Sequence, residues 1–235
     1  MVTGICPLIP LVSSIGPFMN TVTLVSLDKS LQQITPSKVL CIGRNYVDHI
    51  KELANEIPDE MLVFFKPNSA ICATLHAMHN EDALHYEAEL SFLYQGGQFT
   101  AVALGLDLTK RVIQGKLKNK GLPWERAKAF DGSVVFSDFV AIPAAGVSQL
   151  SLSLTINDEL KQQGSVALML VKPDEILTEL QRFISLEDGD IVMTGTPKGV
   201  GVIGKNDNFI GQVYLRQEDS LVADRVLLEC QWQAK

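Results

Sequence analysis

The chain has 235 residues, 46% hydrophobic content and a formal net charge of −7 at pH 7. That supplies enough apolar material for one large core, and the acidity argues against a nucleic-acid binder or a protein held on anionic membranes. Cys6, Cys41, Cys72 and Cys230 lie far apart with no C-x-x-C pair, which excludes a zinc pattern and a secreted disulfide framework and predicts free thiols in a reducing, cytoplasmic setting.

Pro7, Pro10, Gly16 and Pro17 interrupt the apolar N-terminal residues, and the first charge is Asp28. Neither a signal peptide nor a membrane helix fits, and Met19 is the expected natural start. Residues 1–37 read as an N-terminal extension with the first strand or strands, and 38–235 as the main domain.

KVLCIG, 38–43, predicts a buried strand, and Val47 to Leu53 a short helical turn. MLVFFKP, 61–67, predicts a strand stopped by Pro67. Tyr86 to Tyr94 and Phe99 to Leu108 follow as strands, the second apolar enough to be central. Thr109 is placed as the N-cap of a helix over Lys110 to Lys120, ended by Gly121, with one more helical turn from Glu125 to Phe130. Val134 to Ile142 reads as one strand. Leu150 to Ile156, the turn Asn157-Asp158, and Glu159 to Ser165 read as a hairpin. Asp174 is expected to cap a helix running to about Phe183. Strands at 190–194, 210–216 and 221–232 complete the chain. Strands outnumber scattered, short helices, so the expected fold is α+β: a β-rich mixed sheet rolled into a barrel-like form.

The chemistry is concentrated in HYEAEL and VALGLDLT. Glu87 and Glu89, two apart on a strand, share a face, and Asp107 ends the neighbouring apolar strand. Converging carboxylates without Cys or His suit a hard divalent cation, Mg2+ before Mn2+ or Ca2+. On these residues alone a solvated acidic face with Asp107 capping a helix is the competing interpretation. His49 and Glu52, three apart on a helix, can pair as a general base, and Arg111 and Gln114 repeat that spacing as a carboxylate clamp. Lys128 lies between apolar residues in PWERAKAF. The glycines of TGTPKGVG let backbone N–H groups approach an anion, without the order of a P-loop.

Together these segments resemble the fumarylacetoacetate hydrolase family. The resemblance runs from about Lys38 to Val213 through GRNYVDHIKEL, FFKPNSA, HYEAEL, ALGLDLT, KGLPWERAKAFD and MTGTPKGVG, in the family's order. It is strongest to small single-domain acylpyruvase and oxaloacetate decarboxylase-like members. The resemblance implies the mixed β-roll of the family's C-terminal domain, usually a homodimer. It implies that Glu87, Glu89 and Asp107 hold Mg2+, and that His49 and Glu52 sit on a lid segment and activate water. Lys128 and Arg111 would stabilise enolate or carboxylate charge, Gln114 would hydrogen-bond the substrate, and Arg44, Gly195 and Thr196 would bind it. The implied activity is cleavage or decarboxylation of small 2-oxo or 2,4-dioxo acids through a stabilised enolate. Alternatives are oxaloacetate keto–enol tautomerisation, an isomerase or decarboxylase of aromatic catabolism, and a non-catalytic metal-binding member. FDGSVVFS lacks the Cys-Pro step common in the family, and VIGKNDNFIG departs from its usual glycine–aspartate turn.

Overall fold

The computed structural model describes residues 19–53, 58–216 and 224–235. The expected start at Met19 concerns residues 1–18, which lie outside the described residues. In chain order the elements are β1 (Val22–Val25), β2 (Leu31–Ile34), β3 (Lys38–Gly43), α1 (Val47–Glu52) and β4 (Leu62–Pro67). Short strands β5 (Met78–His79), β6 (Asp82–Ala83) and β7 (His85–Tyr86) precede the long hairpin of β8 (Ala88–Gln95) and β9 (Gln98–Asp107). Helices α2 (Arg111–Asn119) and α3 (Glu125–Lys128) lead to β10 (Val134–Phe136), β11 (Phe139–Ala141), and the hairpin β12 (Leu150–Ile156) and β13 (Glu159–Ser165). Helix α4 (Pro173–Leu180), β14 (Ile191–Met193), β15 (Gly201–Val202), β16 (Asn208–Leu215) and β17 (Arg225–Gln233) finish the chain.

Among the described residues the larger sheet runs β2-β1-β11-β9-β8-β14-β3-β4, with β10 also paired to β9. It is mixed: β1 with β11 and β14 with β3 are parallel, the other pairs antiparallel. A second sheet, β13-β12-β16-β17, packs across it. The two-residue period of a strand divides β8 and β9 between two environments. Ala88, Leu90, Phe92, Val102, Leu104 and Leu106 pack against Leu152, Leu154, Phe209 and Val213 of the second sheet. Leu93, Ala101 and Ala103 turn the other way, toward Val39, Cys41, Phe139, Ile191 and Met193. Glu87, Glu89 and Asp107 share that second parity, so they sit at one end of the curled sheet's inner face. α4 covers Leu40, Ile42 and Val192 through Ile176 and Leu180. The β-rich mixed roll read from the sequence is therefore the observed fold, and no helix among the described residues is long and apolar enough to cross a membrane.

Most predicted elements stand, with four adjustments. The hairpin turn lies at Asn157 and Asp158, both in the left-handed region (φ 50° and 65°) that the tight turn demands. The strand expected over 134–142 is two: Ser137 Oγ accepts from Leu104 N–H at 3.0 Å, so a side chain replaces a ladder bond and β10 breaks from β11. Thr109 does not cap α2; Lys110 holds the cap position, and the Thr109 hydroxyl instead meets Lys128 Nζ at 2.6 Å. Gly121 follows α2 with φ 62°, as a helix-terminating glycine should. Asp174 is inside α4, because Pro173 takes the first helical position and Lys172 caps it, its N–H donating to Glu175 Oε2 at 2.8 Å. The strand read over 221–232 is observed as β17, from Arg225; residues 221–223 lie outside the described residues.

Candidate metal centre and active site

β8 and β9 place the three acids. Antiparallel pairing sets Ala88 opposite Leu106 and Glu89 opposite Gly105, and the Asp107 N–H donates to the Glu87 carbonyl at 2.9 Å. Glu87 and Asp107 thus face each other across the ladder, with Glu89 one pleat further in. Gly105, opposite Glu89, leaves room for the neighbouring side chains: a Cβ there would stand 2.5 Å from Ser91 Oγ and 2.9 Å from Met193 Cε. All three acids are buried, and one oxygen of each lies within 4.8 Å of the others.

Three cations neutralise this cluster. Lys128 Nζ from α3 is 2.7 Å from Glu87 Oε2 and 2.6 Å from Asp107 Oδ2. Arg111 from α2 pairs with Glu87 Oε1. Lys66, fully buried on β4, approaches Asp107 Oδ1 at 2.9 Å as an ion pair and donates to Ser133 O and Oγ at 3.0 and 3.1 Å. Asp107 Oδ1 keeps that ion pair without a well-directed hydrogen bond. Burial works to raise the Glu87 pKa, but Lys128 and Arg111 outweigh it and hold the carboxyl well below the usual range. Glu89 goes the other way: burial, then the charges of Asp107 and Glu87, push it up, against the Lys128 charge and the Gly195 N–H at 2.8 Å. Lys128, whose burial alone would lower it, is held cationic by Asp107 and Glu87.

Most of the remaining predicted residues line one cavity, while Glu52 and Gly195 do not line it and reach it through their hydrogen bonds to His49 and Glu89. The cavity is lined by Arg44, His49, Glu87, Glu89, Asp107, Arg111, Gln114, Lys118, Lys128 and Thr196, with Phe64 and Trp124 as its aromatic wall. Its volume of about 30 Å³ is close to that of one water molecule. Gln114 Oε1 accepts from Arg111 Nη1 at 2.8 Å, so the i, i+3 pair is formed. His49 Nδ1 lies 3.2 Å from Glu52 Oε2. Burial lowers the His49 pKa more than Glu87 and Glu52 raise it, so the imidazole is neutral near pH 7. Glu52 also accepts the Gly199 N–H, at 3.0 and 3.2 Å from its two oxygens, which ties α1 to the glycine loop. Gly195 has φ 93°, and a Cβ there would come 2.8 Å from Asn45 Cβ; only glycine turns the chain so that its N–H reaches Glu89. The Thr196 hydroxyl donates to Ala88 O at 2.9 Å and accepts from Gln162 Nε2 at 2.8 Å. Arg44 adopts φ 56°, uncommon for a residue with a side chain, and its buried Nε has no partner among the described residues.

Sequence reasoning missed Lys66, Lys118 and Gln162. Lys66 had a signal: it pairs in register with the apolar Val39 on β3, so its side chain shares the inner face. Lys118, over the Trp124 ring at 5.2 Å, reads in sequence as one of several lysines on a wet helix. Its pKa is lowered to about 8, by burial first and then by Arg44 and Arg111.

The donor set fits a hard divalent cation: three buried carboxylates share one face, with one oxygen of each within 4.8 Å of the others.

The family model described as fumarylacetoacetate (FAA) hydrolase C-terminal matches residues 38–97 and 99–231. The oxaloacetate tautomerase YcgM of Escherichia coli is 39% identical over 189 residues, covering 73% of this chain and 85% of that protein. The human mitochondrial oxaloacetate tautomerase FAHD1 is 37% identical over 191 residues, covering 72% and 83%. Among solved structures, fumarylpyruvate hydrolase from Pseudomonas aeruginosa, in complex with Mn2+ and pyruvate, superposes with a TM-score of 0.77 at 26% identity, covering 91% of this chain and 95% of that one.

Proposed function

The chain belongs to the fumarylacetoacetate hydrolase family, and from that premise we propose that it is a Mg2+-dependent enzyme catalysing keto–enol tautomerisation of oxaloacetate. The observation that carries the reading is the buried cluster of Glu87, Glu89 and Asp107 in one cavity with His49. The relatives named as oxaloacetate tautomerases support the substrate.

Charge bookkeeping agrees with a dicarboxylate. Three carboxylates meet Lys66, Lys128 and Arg111, three cations, so the cluster without metal is close to neutral. Adding a divalent cation leaves two positive charges for the two carboxylates of oxaloacetate. Glu87, Glu89 and Asp107 would hold the cation, which when bound supplies a Lewis acid that draws electrons from a 2-oxo group and acidifies the adjacent carbon. The protein does the rest. His49 Nε2, with Glu52 orienting the ring through Nδ1, removes or returns the proton at C3. Lys128 Nζ, whose three N–H donors serve Glu87, Asp107 and Thr109, would stabilise the gathering negative charge through its own positive charge. Arg111, with Gln114 beside it, takes the C1 carboxylate, while Arg44 and Lys118, which line the same cavity, receive the distal one. Thr196 lines the cavity, and the Gly195 N–H holds Glu89 in place. The family's homodimeric state and a cytoplasmic setting belong to the same reading; Cys41, Cys72 and Cys230 are free thiols, as a reducing compartment permits.

A second reading is C–C hydrolysis of an acylpyruvate, or decarboxylation of oxaloacetate. The His49–Glu52 pair favours it, since an oriented neutral imidazole can equally take a proton from water, and fumarylpyruvate hydrolase is a structural neighbour. One experiment separates them. Metal-stripped protein is mixed with oxaloacetate or a short acylpyruvate, with and without Mg2+, following enol absorbance and pyruvate release in parallel. Mg2+-dependent enolisation without pyruvate supports the tautomerase. Pyruvate from the acylpyruvate moves the assignment to hydrolysis, and silence on both substrates overturns both readings.

A further inference from the structure

The strand that carries two of the proposed ligands is held, between them, by a residue from the other sheet. β7 ends at Tyr86 and β8 starts at Ala88. On the β9 side Glu87 O is satisfied by the Asp107 N–H. On the opposite side the neighbour β14 stops at Met193, because the chain must turn at Gly195 to aim its N–H at Glu89. Past that point the backbone of Ala88 has no strand to pair with, and a buried, unpaired amide is costly.

Side chains fill the gap. Thr196 Oγ1 donates to Ala88 O at 2.9 Å. Gln162 Oε1 accepts from the Ala88 N–H at 2.9 Å. The Gln162 amide then donates to Thr196 Oγ1 and to Pro197 O, both at 2.8 Å. Gln162 is fully buried on β13, whose neighbouring residues Lys161 and Gln163 face solvent. One side chain therefore closes a ring through the residue between Glu87 and Glu89 and through the loop that supplies Gly195.

We propose that Gln162 is the positioning residue of the metal centre: it sets the spacing of Glu87 and Glu89 and locks the Gly195–Pro197 loop against them. It touches neither substrate nor the reacting atoms. The inference rests on the metal reading above, and its test is kept separate from catalysis. Partners that orient metal ligands are worth about 10- to 100-fold in metal affinity.

The test is a Mn2+ titration of chelator-treated full-length protein, read by loss of the free-ion paramagnetic resonance signal, at a temperature where circular dichroism shows each variant folded. Gln162→Met, similar in volume but without the amide, is expected to weaken Mn2+ binding about 10- to 100-fold. Gln163→Ala removes the adjacent side chain, whose Nε2 donates to Tyr214 Oη at 3.0 Å away from the site, and should leave affinity within about twofold of the parent. A folded Gln162→Met protein with parental affinity overturns the inference, whatever its melting temperature, since a purely structural role predicts that result. Should Gln162→Met not fold, Gln162→Asn replaces it: the shorter amide cannot span Ala88 and Pro197, and unchanged affinity there is equally fatal. Absence of Mn2+ binding by the parent protein overturns the metal reading itself, and this inference with it.

Discussion

Lys128 Nζ bridges Glu87 and Asp107, at 2.7 and 2.6 Å, while Glu89 beside them has a backbone N–H for its partner. The three acids are therefore not equivalent. Two are stabilised by cations already in the fold, and the third is the one whose ionisation most needs an added one.

Glu89→Gln should separate stability from metal binding. The Glu89 pKa is raised, so the folded chain binds more protons than the unfolded one and stability falls as pH rises from the ordinary glutamate value. Removing the charge should leave the metal-free protein as stable as the parent at pH 7, or more so. The parent should gain about 2.7 kcal/mol at a metal concentration 100 times Kd, and that gain should vanish in the variant. Thermal melts with Mg2+ and with chelator measure both; a full metal-dependent shift in Glu89→Gln would remove it from the ligand set.

The activity should have an acid limb set by His49. Burial places its pKa below the usual histidine value, so kcat should decline only as pH falls under about 6.5. Glu52 contributes to raising that pKa, so Glu52→Gln should move the limb to lower pH while reducing kcat through lost orientation of the ring. His49→Ala should cost about 100- to 10,000-fold in kcat. A limb that stays in place in Glu52→Gln would assign it to another group.

Lys118 should govern the alkaline side through binding. With a pKa of about 8 it loses charge as pH rises through that value. KM for oxaloacetate is expected to climb between pH 7 and 9 with little change in kcat, and Lys118→Met should raise KM about tenfold and flatten its pH dependence. Initial rates across that range decide it; a flat KM in the parent would take Lys118 out of substrate recognition.

Gly195→Ala tests the loop geometry. At φ 93° a side chain is strained, and its Cβ would press on Asn45 Cβ at 2.8 Å and Ile42 O at 3.1 Å. A loss of about 1–3 kcal/mol in stability is expected, together with weaker metal binding as the N–H leaves Glu89. Chemical denaturation with and without Mg2+ measures the two effects; a variant with parental stability would contradict the packing described for this loop.

Much of the site was legible because its chemistry violates local expectation. Acids in an apolar strand and its neighbour, Glu87, Glu89 and Asp107, stand out by periodicity. The turn at Asn157-Asp158 and the terminating Gly121 announce themselves through backbone conformations few residues accept. What stayed hidden depended on distance in the chain. Gln162 is one polar residue in a polar hairpin until the turn at Gly195 strips Ala88 of its strand partner. Lys66 looks like any alternating lysine until β3 closes over it. Thr109 looked like a cap because nothing local told of Lys128, and Ser137 broke its strand for the sake of Leu104.

The hairpin of β8 and β9 turns at Gly96 and Gly97, both with positive φ, and Gln95 pairs with Gln98. It carries Glu87, Glu89 and Asp107 within a single contiguous stretch, whereas Lys66, Gln162 and Gly195 arrive from remote parts of the sequence. Closing so short a loop is fast and entropically cheap compared with those later contacts. The hairpin by itself would bring its mutually repelling acids together without Lys66 of β4 to offset them. On the proposed metal reading, a divalent ion would find all three oxygen donors on that one stretch, so its binding would stabilise a local unit of the chain and not only the finished fold.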